Sequence, residues 1–359
     1  MITGNKGEWS EIYALFKLLG DKQLQPGDEN IEKLQGVFYP IIKIIRTESI
    51  GIFEYSIVDE IVVISDSDEV LRIPISEFKR NAEILLESIQ KANTSAFAIP
   101  EIESFMSDIN CMSLKASSSL KTDITIVVHD QRTNQQPTLG FSIKSQLGNP
   151  STLLNAGPTT NFRYKVNGHS FSDEEIHSIN SIITRTKLID RVDEIIEKGG
   201  TFEFDKVVNP IFSNNLILID SLLPEIFGEV ILKYYKDRLS NLTAILNEVS
   251  RNNPMRFDTS SEHDYYRYKV KRFLTDVALG MMPSKVWTGE YDATGGYLII
   301  KENGDILCYH IYNRNEFEDY LLNNTKLEKG SSSRHEFGQL YKQGDDVMFN
   351  MNLQIRFIK

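Results

Sequence analysis

Residues 123–145 read DITIVVHDQRTNQQPTLGFSIKS, and this stretch decides the fold class. Asp123-Ile124-Thr125-Ile126-Val127-Val128 is apolar and β-branched, as a buried strand is. The polar run 130–137, DQRTNQQP, holds turn-forming residues, and Thr138 to Lys144 resumes strand character. The two runs predict a hairpin. Side chains alternate across a strand, so Ser142 and Lys144 share one face. Gly148, Asn149 and Pro150 end the second strand, and Ser151 is expected to cap a helix carrying Leu153 and Leu154.

Working outward, Trp9, Ile12, Leu15, Phe16 and Leu19 recur at helical spacing and predict an amphipathic helix from about Lys6 to Leu19. The apolar run 31–46 reads as a buried helix turning into a strand at Tyr39-Pro40. Residues 52–64 and 69–75 read as strands around the polar turn Ser65-Asp66-Ser67-Asp68. A helix capped by Ser76 and another over 100–109 precede the hairpin. From 173 to 281 the pattern is mainly helical, with one helix from Ser261 to Met281. After Pro283 the chain turns rich in Gly, Asn and aromatics, with strand-like runs at 297–301, 306–312 and 347–357. These shifts predict an α/β protein with a mixed-sheet core over 1–175, a helical segment over 176–285 and a β-rich C-terminal segment over 286–359.

With 359 residues the chain is long for one domain. No apolar run is long enough to span a membrane, and the opening MITGNKGEWSEIY lacks the apolar core of a signal peptide. A cytoplasmic location with no membrane partner is expected. Cys111 and Cys308 are too few for a zinc ribbon and read as reduced thiols. The net charge of −11 argues against a generic nucleic-acid coat. It leaves open a local basic patch, and it suits a site that gathers carboxylates around a metal.

Phosphodiester hydrolysis needs an activated water and charge stabilisation on the transferring phosphoryl group. One compact solution places an acid at the start of one strand, and an acid and a lysine two apart on its neighbour, to hold a hard divalent ion that keeps several waters. Asp123 opens the first strand here, and Ser142 and Lys144 lie on the second. The pattern departs from the usual motif at Thr122, where Pro is common, and at Ser142, where a second acid is usual. A serine supplies no negative charge, so another carboxylate is needed. Glu8 lies on the inward side of the first helix and is the first choice; Glu11, at the edge of that face near Leu18, is the reserve. The bland alternatives make Asp123 a strand cap, Lys144 a snorkelling cation and Glu8 an acid favoured by the helix dipole.

The strings GNKGEWSEIY at 4–13, KTDITIVVHD at 121–130, GFSIKSQLGNPSTLLNAGPTTNF at 140–162 and GYLIIKENGDILCYHIYNRNEFEDYLL at 296–322 resemble the HpaII family of restriction endonucleases. The resemblance reaches both ends of the chain. It implies a PD-(D/E)xK nuclease with a restriction-endonuclease-like core, double-stranded DNA as substrate, Mg²⁺ as cofactor and the palindrome CCGG cut between its two cytosines. The family's motif maps onto Asp123, Ser142 and Lys144, including the non-acidic middle position. Asp123, Glu8 and the Ile143 carbonyl are then the expected metal ligands. A cognate DNA cytosine methyltransferase is the implied functional partner, and the enzyme acts as a monomer or as a homodimer.

Asn155, Thr159 and Asn161, in the loop after the hairpin, and Arg334, a candidate for bidentate pairing with guanine, are the expected DNA contacts. Lys115 and Lys121 are candidates for backbone phosphate. In YYRYKVKRF at 265–273, helical spacing makes Tyr266, Val270, Phe273 and Leu274 a core face. Two other functions fit the same residues: a repair or mismatch nickase, which would not cut both strands at one palindrome, and a non-catalytic DNA-binding module, suggested by Ser142.

Overall fold

The computed structural model describes residues 1–67, 70–116, 122–309 and 313–358. Lys121, positions 68 and 69 of the expected turn and strand, and positions 310–312 of the expected strand lie outside the described residues. By its internal contacts the chain forms two units, 1–151 with 291–320 and 152–290 with 321–358. Composition suggested three consecutive segments, whereas each unit joins two stretches far apart in sequence.

In chain order the first unit contains α1 (Lys6–Asp21), β1 (Gln23–Pro26), β2 (Tyr39–Glu48), β3 (Gly51–Val58), β4 (Ile61–Ser65), β5 (Val70–Pro74), α2 (Ile75–Lys91), α3 (Pro100–Asp108), β6 (Ile124–Val128), β7 (Thr138–Ser145), β8 (Gly296–Ile300) and β9 (Ile306–Tyr309). The strands form one sheet in the order β1-β9-β8-β7-β6-β2-β3-β4-β5, and β1 also pairs with β2. Six strands therefore close into a ring, with β3, β4 and β5 extending from it. The sheet is mixed: β7–β8 and β1–β9 are parallel, and the remaining pairs are antiparallel. The chain is thus α/β, as its hairpin and helices predicted.

β6 and β7 form the predicted hairpin, with Ile124 opposite Phe141 and Val127 opposite Thr138. Ile126 and Phe141 are fully buried. The polar 130–137 turn is tied by Asp130, whose Oδ1 accepts from Arg132 N and whose Oδ2 accepts from Thr133 Oγ1. Gly140 admits a close approach, because a Cβ there would stand 2.8 Å from Thr122 Cγ2. Thr122 in turn donates from its hydroxyl to the Asp292 carbonyl, a bond that Pro at this position would lose.

α1 is buried on most sides, with Trp9, Ile12, Phe16 and Leu19 fully covered. It packs on α2 and touches β7. Phe16, Phe78 of α2 and Phe105 of α3 form an edge-to-face cluster with centroids 5.2–6.1 Å apart, a geometry aromatic quadrupoles favour. The Ser10 and Ser145 hydroxyls share a 2.8 Å hydrogen bond, which docks the first turns of α1 onto the end of β7.

Several local expectations are corrected. Residues 31–38 form no helix: Ile31 and Gly36 have φ of 63° and 75°, and only β2 follows. The run 52–64 is broken into β3 and β4 by a turn at Asp59, φ 54°. α2 starts at Ile75 after Pro74 with no side-chain cap, so Ser76 does not cap it. Ser151 precedes a strand, Thr152–Leu154, that pairs with Ile355–Phe357.

The second unit holds a four-stranded antiparallel sheet in the order Thr201–Val207, Asn161–Asn167, Asp346–Asn352, Leu340–Gln343. A smaller sheet joins Thr325–Leu327, Ile355–Phe357 and Thr152–Leu154. Helices Leu223–Asp237 and Tyr265–Leu279 meet at Phe227 and Phe273, centroids 4.4 Å apart. Tyr266, Val270, Phe273 and Leu274 are buried, as the helical spacing predicted. The strand Thr201–Val207 interrupts a stretch expected to be helical; its one face carries Phe202 and Phe204, each edge-on to Tyr164. No helix among the described residues is long and apolar enough to cross a membrane.

Candidate active site

Antiparallel pairing puts Asp123 beside Ser142. Its backbone N–H donates to the Phe141 carbonyl at 2.9 Å, which continues the β6–β7 ladder by one residue. Its Oδ2 accepts from the Ser142 hydroxyl at 3.0 Å and from the Ile143 N–H at 2.7 Å. Both bonds fall on one oxygen, so Oδ1 is left without a partner among the described residues. Lys144 Nζ donates to Ser142 Oγ at 3.1 Å. Ser142, buried in place of an acid, therefore bridges the carboxylate and the amine.

Lys144 also lies over the ring of Tyr297, with Nζ 5.0 Å from the centroid. Tyr297 stands opposite Ser142 in the parallel β7–β8 pair, so it lies on the same face of the sheet. Burial pushes the Lys144 amine below its ordinary pKa, against the opposing pull of Asp123 and Glu11.

The two acids of α1 are treated differently. Glu8 is the third residue of the helix and completes a capping box: its N–H donates to Asn5 Oδ1 at 3.0 Å, and its Oε2 accepts from Asn5 N at 2.8 Å. Its other oxygen faces Lys115 Nζ at 3.3 Å. Both carboxylate oxygens are thus engaged by the protein itself, as the helix-terminus reading of Glu8 required. Glu11, one turn further on, makes no such bonds among the described residues. Its pKa is raised to about 8, first by burial and then by the like charge of Asp123; Lys115 and Arg46 pull it down, and Glu8 pushes it up. Burial, with Asp123 as a further like charge, disfavours the ionised form of Glu11, and a cation beside it would favour that form.

Glu8, Glu11, Lys115, Ile143 and Ser145 line a cleft of about 770 Å³. Asp123 lines a separate, smaller cavity with Thr47, Thr122 and Thr294. Among the described residues no group of three or more His, Cys, Asp or Glu is arranged to hold a metal. Two carboxylates, Asp123 and Glu11, with the Ile143 carbonyl beside them, nevertheless match what Mg²⁺ takes from proteins, one or two acids with waters filling the other positions. The open Oδ1 of Asp123 and the unrelieved repulsion on Glu11 fit such an ion.

The expected DNA contacts lie in the second unit. Asn155 and Arg334 are exposed and Thr159 is half-buried. Asn161 is corrected: it is 3% exposed, its Nδ2 donates to the His335 carbonyl at 2.8 Å, and its Oδ1 accepts from Asn352 Nδ2 at 2.7 Å. A buried amide with both ends bonded to protein has nothing to offer a base. In the 265–273 segment, Lys269 is paired with Asp220.

Sequence reasoning missed Tyr297 and Arg46. The signal for Arg46 was present, since the alternation that buries Ile44 also turns Arg46 and Glu48 inward. Tyr297 acts through a parallel pairing 155 residues away in sequence, which no local pattern reports.

The model of the HpaII restriction endonuclease family matches residues 5–357. The type II restriction enzyme HpaII of Haemophilus parainfluenzae is 49% identical over 359 residues, covering 99% of each chain. No solved structure gives a significant match. With the family match spanning both units and the identity sustained from end to end, this chain belongs to the HpaII restriction endonuclease family.

Proposed function

We propose that this enzyme is a magnesium-dependent type II site-specific deoxyribonuclease. It cuts both strands of double-stranded DNA at CCGG, between the two cytosines, from a restriction-endonuclease-like core of the PD-(D/E)xK class. The observation that carries this reading is the hydrogen-bonded chain Asp123–Ser142–Lys144 across β6 and β7, with Glu11 of α1 close enough for Asp123 to raise its pKa. The site specificity rests on the relationship to HpaII.

Asp123, Glu11 and the Ile143 carbonyl would hold the ion, with Glu11 taking the place first given to Glu8. When bound, Mg²⁺ supplies charge neutralisation on the transferring phosphoryl group and lowers the pKa of a coordinated water. The chain's own residues do the rest. Ser142 and the Ile143 N–H fix Asp123 through Oδ2 and leave Oδ1 turned to its task. Lys144, held between Ser142 and the Tyr297 ring, orients the attacking water and receives or shares its proton, which its lowered pKa favours. Ser142 fills the usual acid's position as a neutral relay. Asn155, Thr159 and Arg334 remain proposed DNA contacts.

In the cytoplasm such an enzyme requires a cognate DNA cytosine methyltransferase to shield the host genome, and it works as a monomer or as a homodimer. Digestion of plasmid DNA with sequencing of the ends tests the reading. Cuts confined to CCGG, abolished by EDTA and by C5 methylation of the inner cytosine, are expected, since that methyl group projects into the major groove. Metal-independent cutting, or cutting at other sequences, would overturn it.

A further inference from the structure

In the second unit, Arg191 is a buried cation with no carboxylate partner among the described residues. It is 5% exposed. Its Nη1 donates to the Gly338 carbonyl at 2.5 Å, and its Nη2 donates to the carbonyls of Asn180 and Ile182 at 2.5 and 2.9 Å. Its Nε is buried and finds no acceptor. Carbonyl dipoles orient a guanidinium without neutralising it, so the charge remains unanswered.

Arg191 lines a cavity of about 330 Å³ with Lys187, Ser332, Ser333 and Tyr341. Glu336 is the one acid in that lining. The Oδ2 of the nearby Asp190 accepts from the hydroxyls of Thr184 and Thr186. The segments that frame the cavity bring three more basic residues: Lys329 donates to the Arg185 carbonyl, joining 185–191 to the stretch that leads to Arg334. Among the described residues, none of Arg185, Lys187, Arg191, Lys329 and Arg334 forms an ion pair. Several other cations of this unit are answered: Arg163 by Asp205, Lys165 by Asp346, Arg238 by Asp193 and Lys342 by Asp173. Arg191 and Lys187, both outside any ion pair among the described residues, line this cavity beside Ser332 and Ser333, with Arg185 and Lys329 on the adjoining segments; on a chain of net charge −11 they mark a place suited to an anion.

We propose that this cavity receives a backbone phosphate of bound DNA, with Arg191 and Lys187 as its charged donors and Arg185 and Lys329 holding the flanking phosphates. The Arg191 Nε–H, left without an acceptor, can donate to one phosphate oxygen, and the hydroxyls of Ser332 and Ser333 match the others. The assignment rests on the proposed DNA-cleaving function and adds a sequence-independent anchor to it. Such anchors position the duplex and read no bases.

The test is the salt dependence of DNA binding in EDTA, measured for the intact protein and for Lys187→Ala, Arg185→Ala/Lys329→Ala and the triple variant. Arg191 is left in place, because its removal would undo three carbonyl ties. Each cation removed is expected to lower the slope of log K against log salt by about 0.9. Its removal should weaken CCGG and unrelated duplexes equally and leave the single-turnover cleavage rate at saturating enzyme unchanged. Lys187→Arg is expected to restore the slope. A triple variant that folds normally and keeps the full slope would overturn the proposal, as would one that loses only the binding of inorganic phosphate. An intact protein that neither binds nor cuts DNA would instead overturn the functional reading, and the proposal with it.

Discussion

Two charged clusters lie in the first unit, and the protein treats them in opposite ways. Around Arg46 every charge is answered: its Nε donates to Glu48 Oε1 at 2.5 Å, its Nη2 donates to the Ser113 carbonyl at 2.5 Å, and the Ser113 hydroxyl donates to Glu48 Oε2 at 2.7 Å. Both charged side chains are almost wholly buried. Around Asp123 the charges conflict. Glu11 is driven to hold a proton, the Lys144 amine is disfavoured by burial, and Asp123 has one oxygen open. A satisfied buried network fixes architecture, whereas groups with opposed pKa shifts in a cleft are those kept for chemistry. The first cluster also serves the second, since the Arg46 charge lowers the pKa of Glu11.

The comparison predicts a crossover between activity and stability. Lys144→Ala should lower the cleavage rate by about 10²–10⁴-fold, the usual worth of a positioned proton-transfer group. Its thermal midpoint should hold or rise, because a cation penalised by burial is removed. Glu48→Gln should do the reverse. Leaving Arg46 buried opposite a neutral amide costs about 3–5 kcal/mol, to be read by denaturant unfolding, while the protein that remains folded still cuts. A Lys144→Ala protein that is strongly destabilised would erase the distinction, as would a Glu48→Gln protein that is stable but inactive.

Ser142→Ala sharpens the comparison, since it removes the bridge and keeps both charges. Hydrogen bonds to charged groups are worth about 1.5–3 kcal/mol. The expected loss in rate is correspondingly smaller than for Lys144→Ala, with the midpoint of metal activation moved to higher Mg²⁺. An unchanged metal dependence would show that Asp123 needs no help from Ser142.

The pH dependence of stability without metal follows from Glu11. Its folded pKa, about 8, lies above the ordinary carboxyl value of 4.5. The folded state therefore binds more protons than the unfolded state between these values, and stability falls as pH rises from about 4.5 to about 8. Glu11→Gln should flatten that part of the profile, measured as thermal midpoint against pH in EDTA. A profile identical to that of the unaltered chain would place the raised pKa elsewhere.

Much of this was legible in the chain. The hairpin, the face shared by Ser142 and Lys144, and the apolar stripe of α1 follow from periods of two and 3.6 residues. What stayed hidden was either non-local or decided by small differences. The ring closure through β1 and β9, and the place of Tyr297 beneath Lys144, depend on pairings 282 and 155 residues apart in sequence. Glu8 and Glu11 are three residues apart on one helix, so periodicity ranks them closely. The choice between them turns on Asn5, whose side chain closes a capping box with Glu8. The sequence carried that signal as well, because Asn followed three residues later by Glu is a helix-start signature. Similarly, the loop 155–161 looked uniformly polar, yet Asn161 faces inward to Asn352.

The central claim is that the cluster with conflicting charges performs the chemistry and that Glu11 completes it. Single-turnover cleavage of a CCGG duplex by Glu11→Gln and Glu8→Gln, side by side at saturating Mg²⁺, tests this most directly. The account predicts a loss of orders of magnitude for Glu11→Gln and a near-normal rate for Glu8→Gln, whose capping bond is worth about 0.5–2 kcal/mol of stability. Full activity in Glu11→Gln with loss in Glu8→Gln would contradict it.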